Sequence, residues 1–252
     1  MSNIIKLNLL IIFFAISAFA AEDARIPKRI NWPFEGALGK VDRQAAQRGF
    51  KVYNEVCSAC HALKHLYYRN LKDIGFADAE IKELAKKFTV IDGPNDEGEM
   101  FEREAIPADK FVPPYPNEQA ARAANNGSFP ADLSLIVKSR HDGANYLYSL
   151  LTGYEHPAEG MDVPDGLYYN PYFPGGNIAM PPPIMANDQV EYTDGTNATI
   201  EQMSKDLVIF LQWAAEPEME HRKSLGLKVM IYLLIFTVLF YIAKNRIWSK
   251  LK

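Results

Sequence analysis

Cys57-Ser58-Ala59-Cys60-His61 is a C-x-x-C-H motif, and the rest of the chain is read outward from it. Two cysteines two residues apart, followed at once by a histidine, are the attachment signature of a c-type haem. The thiols add across the vinyl groups and staple the macrocycle to the chain, and the adjacent imidazole is placed as proximal iron ligand. Spacing matters because two thioethers and one ring nitrogen must meet the same porphyrin. Three rival readings are weaker. A thioredoxin-like pair sits at a helix start within a βαβ pattern, and no such pattern surrounds Cys57. Zinc needs further ligands at short spacing, yet the chain has no third cysteine and His65 is the only other nearby candidate. Cysteines separated by two residues rarely form a purely structural bridge. One covalently bound haem c is therefore the expected cofactor, held by Cys57, Cys60 and His61.

The ends of the chain carry targeting signals. Lys6, the apolar run Leu9 to Phe19 and Ala18-Phe19-Ala20 read as an export signal cleaved after Ala20. Near the other end, Leu225 to Ala243 is apolar apart from Lys228. Roughly twenty helical residues at about 1.5 Å each cover a hydrocarbon core of ~30 Å. Tyr232, Tyr241 and Trp248 suit interfacial positions, and Lys244, Arg246, Lys250 and Lys252 make a basic tail. The expected organisation is a signal over 1–20, an exported haem domain over 21–222, a transmembrane anchor over 223–243 and a basic cytoplasmic tail over 244–252. The formal net charge of −4 argues against nucleic acid as a partner and favours a basic protein partner.

Between the signals the chain reads as mainly α with long loops. Ile26 to Lys40 is an extended arm punctuated by Pro27, Pro33, Gly36 and Gly39. Asp42 caps a helix running to about Val56, with Ala46, Gly49, Phe50, Tyr53 and Val56 on its inner face. A glycine inside a helix costs about 1 kcal/mol, so Gly49 marks a close helix contact. Asp78 to Phe88 is a short helix. The run Asp92, Asp96, Glu97, Glu99, Glu102 and Glu104 is a solvated face or, more sharply, a surface that speeds encounter with a basic carrier protein. Phe111 to Pro130 is loop, with Gly127 permitting a turn. Asp132 caps a helix through Leu133, Ile136 and Val137 towards Arg140, and Asn145 to Leu151 forms another that Gly153 ends. Arg140 and Tyr146 are candidate donors to haem propionates, since a planar guanidinium matches a carboxylate. Pro157 to Pro183 is an aperiodic loop, and Met180, followed by Pro181-Pro182-Pro183, is the kind of residue that serves as distal ligand. Met161, Met185, Met203, His65, His141, His156 and His221 remain rivals. Thr199 and Gln202 form a capping box, and the helix they start carries Met203, Leu207, Phe210, Leu211 and Ala214 towards the first helix until Pro217 breaks it.

Several stretches in this order resemble the cytochrome c1 family, the haem-bearing subunits of quinol:cytochrome c oxidoreductase. They are the motif at Cys57 to His61, Asp92-Gly93-Pro94-Asn95-Asp96-Glu97-Gly98-Glu99-Met100, Asp132-Leu133-Ser134 and Arg140-His141. Further on come Ser149-Leu150-Leu151-Thr152-Gly153-Tyr154, Tyr169-Asn170-Pro171-Tyr172-Phe173-Pro174-Gly175-Gly176 and Trp213-Ala214-Ala215-Glu216-Pro217-Glu218-Met219 before the anchor. The first helix also resembles that of class I cytochromes c. The resemblance implies a class I cytochrome c-like haem domain with long loop insertions and one C-terminal transmembrane helix. It implies Met180 as distal ligand, with Arg140 and Tyr146 near the propionates. One departure is Asp142 between His141 and Gly143, where many relatives have a small residue.

The function implied is one-electron transfer from the Rieske iron–sulfur protein to a cytochrome c, soluble or anchored, with no substrate chemistry of the chain's own. The arm and loops would contact the Rieske and cytochrome b subunits, within a dimeric complex. The haem domain would lie on the periplasmic side of a bacterial cell membrane. Other classes remain distinguishable: a different anchored cytochrome, an enzyme or gas sensor with an open sixth site, and a haem-free thiol oxidoreductase.

Overall fold

The computed structural model describes residues 24–250; the export-signal reading falls on residues outside that range. The domain is built on two crossed helices. The first, α1 (Arg43–Val52), starts where Asp42 Oδ1 accepts from the Ala45 N–H at 3.0 Å, as the sequence suggested. Its buried side is Ala45, Ala46, Gly49, Phe50 and Val52. The partner helix, α5 (Ile200–Ala215), lays Met203, Leu207, Phe210, Leu211 and Ala214 into the same core. Gly49 sits at the crossing: a Cβ there would lie 2.0 Å from the Asp206 carbonyl oxygen. The ring of Phe210 then meets Phe50 and Tyr53 at centroid separations of 5.6 and 5.8 Å.

A buried ion pair pins this crossing. Asp206 is fully buried, and Arg48 reaches both of its oxygens, Nε to Oδ2 at 2.8 Å and Nη2 to Oδ1 at 3.0 Å. The Asp206 bonds come first among the causes that raise the Arg48 pKa, and Asp194 adds a second carboxylate at 2.7 Å. This pair also explains why the expected capping box is only half formed. The Gln202 N–H does donate to Thr199 Oγ1 at 3.1 Å. The Gln202 side chain instead donates to Asp206 Oδ1 at 3.0 Å, and the Thr199 N–H is taken by the Asn197 carbonyl. Satisfying a fully buried carboxylate outweighs closing a part-buried cap.

Around the crossed pair the structure is mostly helix and loop. After α1 come a π turn (Tyr53–Cys57), a 3-10 helix (Tyr68–Ile74), α2 (Asp78–Ala85), α3 (Glu118–Ala124) and α4 (Gly143–Leu151). The α-helical part of the first helix thus ends at Val52, earlier than Val56, because the chain widens into the π turn. The acidic run is not a plain loop. β1 (Thr89–Asp92) pairs antiparallel with β2 (Phe101–Glu104), and Arg103 ties the hairpin base to Asp92 and Asp109. A second two-residue pair, β3 (Tyr168–Tyr169) with β4 (Asn177–Ile178), organises the long aperiodic loop.

Two further expectations are corrected. Residues 133–140 form turns rather than a helix, for a reason given with the site below. Gly153 does not end α4 by a left-handed turn; Thr152 is the cap, and Gly153 is needed because a Cβ would strike the Ser149 carbonyl at 2.3 Å and the Tyr172 ring at 2.4 Å. Asp142, the departure noted above, has φ +51° at the start of α4. Aspartate is among the few residues that enter this region without great strain.

The arm is fastened to α4 and to the start of the last helix. Lys28 N donates to Ser149 Oγ at 2.8 Å, while Ile30 N and Trp32 Nε1 both donate to Asn145 Oδ1 at 3.1 and 2.9 Å. Trp32 and Phe34 are buried and stacked at 5.4 Å, so these two rings serve the domain's own core. The last helix, α6 (Met219–Trp248), follows α5 after the Pro217 break and is long and apolar enough to cross a membrane. Glu220 accepts from Val41 N and from Arg43, both at 2.9 Å, and Lys223 Nζ donates to the Phe34 carbonyl at 2.6 Å.

Gly49→Ala is expected to destabilise the protein by about 3 kcal/mol, because overpacking at the backbone contact exceeds the ~1 kcal/mol gained in helix propensity. Denaturant unfolding of the detergent-solubilised protein, followed by far-UV circular dichroism, measures this. Arg48→Met should cost about 3 kcal/mol by stranding the Asp206 carboxylate, and adding Asp206→Leu should restore much of the loss.

Candidate cofactor site

Tyr53 to His61 is a single wound segment at the end of α1. Ser58 N donates to the Tyr53 carbonyl at 2.8 Å, a five-residue step that marks a π turn. Cys60 N and His61 N then both donate to the Cys57 carbonyl, at 3.1 and 2.9 Å. Within such a turn, residues three and four apart share a side. The C-x-x-C-H spacing therefore turns Cys57, Cys60 and His61 the same way. Cys57 is buried, Cys60 is half-buried, and both are free thiols.

The two thiols are poorly suited to exchange chemistry. Burial, with Cys60 adding a smaller effect, pushes the Cys57 thiol up to about 12. The pair also lies at the C-terminal end of a helix, where the dipole opposes a thiolate. A redox-active pair needs the reverse, a lowered thiol at a helix start. Among the described residues no group of three or more His, Cys, Asp or Glu side chains could hold a metal ion, so the zinc reading finds no support.

His61 is fixed at both its ring and its backbone. Its Nδ1 lies 2.7 Å from the Ala131 carbonyl and donates to it, which leaves Nε2 as the ring nitrogen with a lone pair. Burial lowers the His61 pKa, with the Ala131 bond and Asp132 opposing, so the neutral ligand form is favoured. The His61 carbonyl accepts from Tyr53 Oη at 3.0 Å.

Asp132-Leu133-Ser134 is the brace for this segment. Leu133 N donates to the Ala62 carbonyl at 2.9 Å, Lys64 N to Asp132 Oδ2 at 3.0 Å, and His65 N to Ser134 Oγ at 3.1 Å. Asp132 Oδ1 also accepts from Ser134 N at 2.9 Å. The carboxylate is thus used sideways, lacing two segments together and turning its own chain, so no helix starts from it. Tyr115 Oη approaches Cys60 Sγ at 4.0 Å and accepts from Asn125 Nδ2 at 3.1 Å, so the Phe111 to Pro130 segment closes over the second thiol; it is not all loop, as the sequence suggested, because Asn117 caps the short helix α3 within it.

Met180 is half-buried just beyond β4, and its carbonyl accepts from Tyr154 Oη at 2.9 Å. Its rivals are placed differently. Met203 is packed fully into α5's core face, Met161 and Met185 are exposed, and His65, His141, His156 and His221 are exposed. Arg140 lies on the turns before α4 with no salt bridge among the described residues, its Nη1 on the Ser139 carbonyl at 3.3 Å. Tyr146, half-buried on α4, is raised by burial while the neighbouring Arg140 guanidinium pulls it down, so these two predicted residues do come together. The sequence placed Tyr53 on the buried face of the first helix and Tyr154 within a resembling stretch but assigned neither to the site, and it did not single out Ala131. Ala131 acts through a carbonyl any residue supplies, whereas an aromatic one turn before the first cysteine was a usable signal for Tyr53.

The donors present fit a c-type haem. Two free thiols face one way, an imidazole offers Nε2 with Nδ1 already spent, Met180 is half-buried, and Arg140 has no carboxylate partner among the described residues. Comparison with known proteins agrees with that chemistry. The profile of the Cytochrome C1 family matches residues 32–251. "Cytochrome c1 1, heme protein, mitochondrial" of Arabidopsis thaliana is 50% identical over 94% of this chain and 76% of its own length. "Cytochrome c1" of Rhodospirillum rubrum is 46% identical over 88% of this chain and 87% of its own. The "Cytochrome b-c1 complex catalytic subunit, mitochondrial" of Candida albicans is 47% identical over 92% and 81%. With two thiols, a pinned imidazole and a profile match across most of its length, the chain belongs to the cytochrome c1 family, with c-type haem as its expected cofactor and electron transfer as the role the family implies.

Proposed function

We propose that the chain passes single electrons from the Rieske iron–sulfur protein to a cytochrome c, as the haem c subunit of a membrane-bound quinol:cytochrome c oxidoreductase. The observation that carries this reading is the Cys57–Cys60–His61 turn with Nδ1 of His61 spent on Ala131. When bound, the haem supplies the redox couple, cycling between ferrous and ferric iron. The chain's own residues supply attachment, ligation and orientation. Cys57 and Cys60 would form the thioethers, and His61 Nε2 and the Met180 thioether would ligate the iron; a neutral thioether favours the reduced iron and raises the potential. Arg140 and Tyr146 would hold the propionates, for which the support is a guanidinium that has no carboxylate partner among the described residues and lies beside the phenol.

The hairpin β1–β2 is the docking face for the acceptor. Asp92 is occupied by Arg103, whereas Asp96, Glu97, Glu99, Glu102 and Glu104 are exposed. Such a field speeds encounter with a basic protein and weakens as salt is added. In this reading residues 1–20 are an export signal, 21–222 the haem domain and 223–243 the anchor. Residues 244–252 are then the cytoplasmic tail. The haem domain then lies on the periplasmic side of a bacterial cell membrane. The cytochrome b and Rieske subunits are its partners in a dimeric complex, for which the relative named as a b-c1 complex subunit is the support.

Met180→Leu should keep covalent haem on a denaturing gel and lower the midpoint potential by on the order of 100 mV. An unchanged potential in an optical redox titration would reassign the distal ligand. Replacing Glu97, Glu99 and Glu102 together by Gln should slow reduction of a basic cytochrome c about tenfold at low salt and far less at high salt. Stopped-flow kinetics at two ionic strengths reads this difference. Co-purification in mild detergent with a cytochrome b and an iron–sulfur protein tests the assembly.

A further inference from the structure

The segment bearing Met180 has almost no backbone support. Pro181, Pro182 and Pro183 have no N–H to give. The β3–β4 pairing stops at Ile178, and the next tie is from Gln189 Nε2 to the Pro183 carbonyl at 2.8 Å. Between those points one hydrogen bond reaches residues 179–182 among the described residues, the Tyr154 hydroxyl donating to the Met180 carbonyl at 2.9 Å. The donor end of that bond is well anchored. Tyr154 stands three residues past α4, whose Leu150 carbonyl accepts from the buried Asn170 Nδ2 at 2.8 Å. Gly153, just before it, is packed so closely on the Tyr172 ring that no side chain would fit. The acceptor end has room to leave. Tyr154 and Pro182 both line an open cleft of about 420 Å³, together with Tyr168 and Tyr169.

We propose that Tyr154 is a positioning residue for Met180, its hydroxyl-to-carbonyl bond holding the thioether-bearing segment against displacement from the iron. The role rests on reading Met180 as the distal ligand. It assigns the tyrosine no contact with the haem and no part in proton transfer. A net hydrogen bond of about 1 kcal/mol corresponds to roughly a fivefold change in the equilibrium between a seated and a displaced thioether. An added ligand such as carbon monoxide must displace that thioether before it binds. Its apparent affinity therefore reports the seating directly, without any turnover.

The test uses the full-length, haem-loaded protein in detergent, as wild type, Tyr154→Phe, Met180→Leu and the double variant. Carbon monoxide titrates the reduced form, imidazole titrates the oxidised form, and haem staining of a denaturing gel measures loading. Tyr154→Phe should load haem as the wild type does and bind both probes about fivefold more tightly. In the Met180→Leu background, where no thioether remains to displace, it should add nothing. Wild-type probe affinity in Tyr154→Phe would overturn the proposal. So would the same fivefold gain persisting in the double variant, because the hydroxyl would then act elsewhere. A Tyr154→Phe protein with no more haem than a Cys57→Ala control would assign the residue to folding instead. Probe affinity and potential unchanged in Met180→Leu would remove the ligand assignment itself, whatever Tyr154→Phe did.

Discussion

The close approach of Gly49 to the Asp206 carbonyl is the contact from which the other distances in the domain are set. It brings α1 against α5 at backbone range, which no residue with a Cβ allows. Arg48 and Asp206 flank that contact and fix the sliding register of the two helices, since a bidentate pair tolerates little shear. One turn beyond Gly49, Tyr53 packs on Phe210 and turns its hydroxyl to the His61 carbonyl. The cofactor motif is therefore built on the far end of the helix crossing. The π turn lets the chain leave the crossing with Cys57, Cys60 and His61 on one side. A core contact and a site contact share one tyrosine, so packing the helices and placing His61 are mechanically the same problem here.

The segment that carries Met180 is constructed on the opposite principle. His61 is held by a laced pair of segments with bonds at its ring, its carbonyl and its neighbours. Met180 lies on a strand of prolines, which needs no ladder and offers none. Proline stiffens that segment through fixed φ while leaving it unattached. Such a segment moves as a unit or not at all, and a single bond at one end has unusual leverage over it.

What could be read from residue order was whatever has a local physical signature. Asp42, Thr199 and Pro217 mark helix ends through capping and ring geometry, and Gly49 with Tyr53 marks a buried face. The cofactor motif declares itself by spacing. The hairpin was missed because neither strand has a fully buried position: β1 alternates only between exposed and half-buried residues, and the apolar Ile91 faces outward, so residue type does not follow the period of two. Asp132 was misread because an aspartate before an apolar stretch looks the same whether it caps its own chain or laces another. The Ala131 and Tyr154 contacts span 70 and 26 residues. Neither belongs to a repeating pattern, and one uses a carbonyl that carries no side-chain identity.

The join between the domain and α6 has a geometric meaning of its own. Glu220 and Lys223 are held by the arm and by Arg43, so the helix's opening turn belongs to the folded body, and the apolar run begins at Leu225, two residues after Lys223. No slack segment separates mast from cabin. Along an α-helix each residue adds about 1.5 Å of height and about 100° of bearing. The compass direction in which the cysteine turn faces, relative to whatever grips the lower helix, is thus written in the number of residues between Lys223 and that grip.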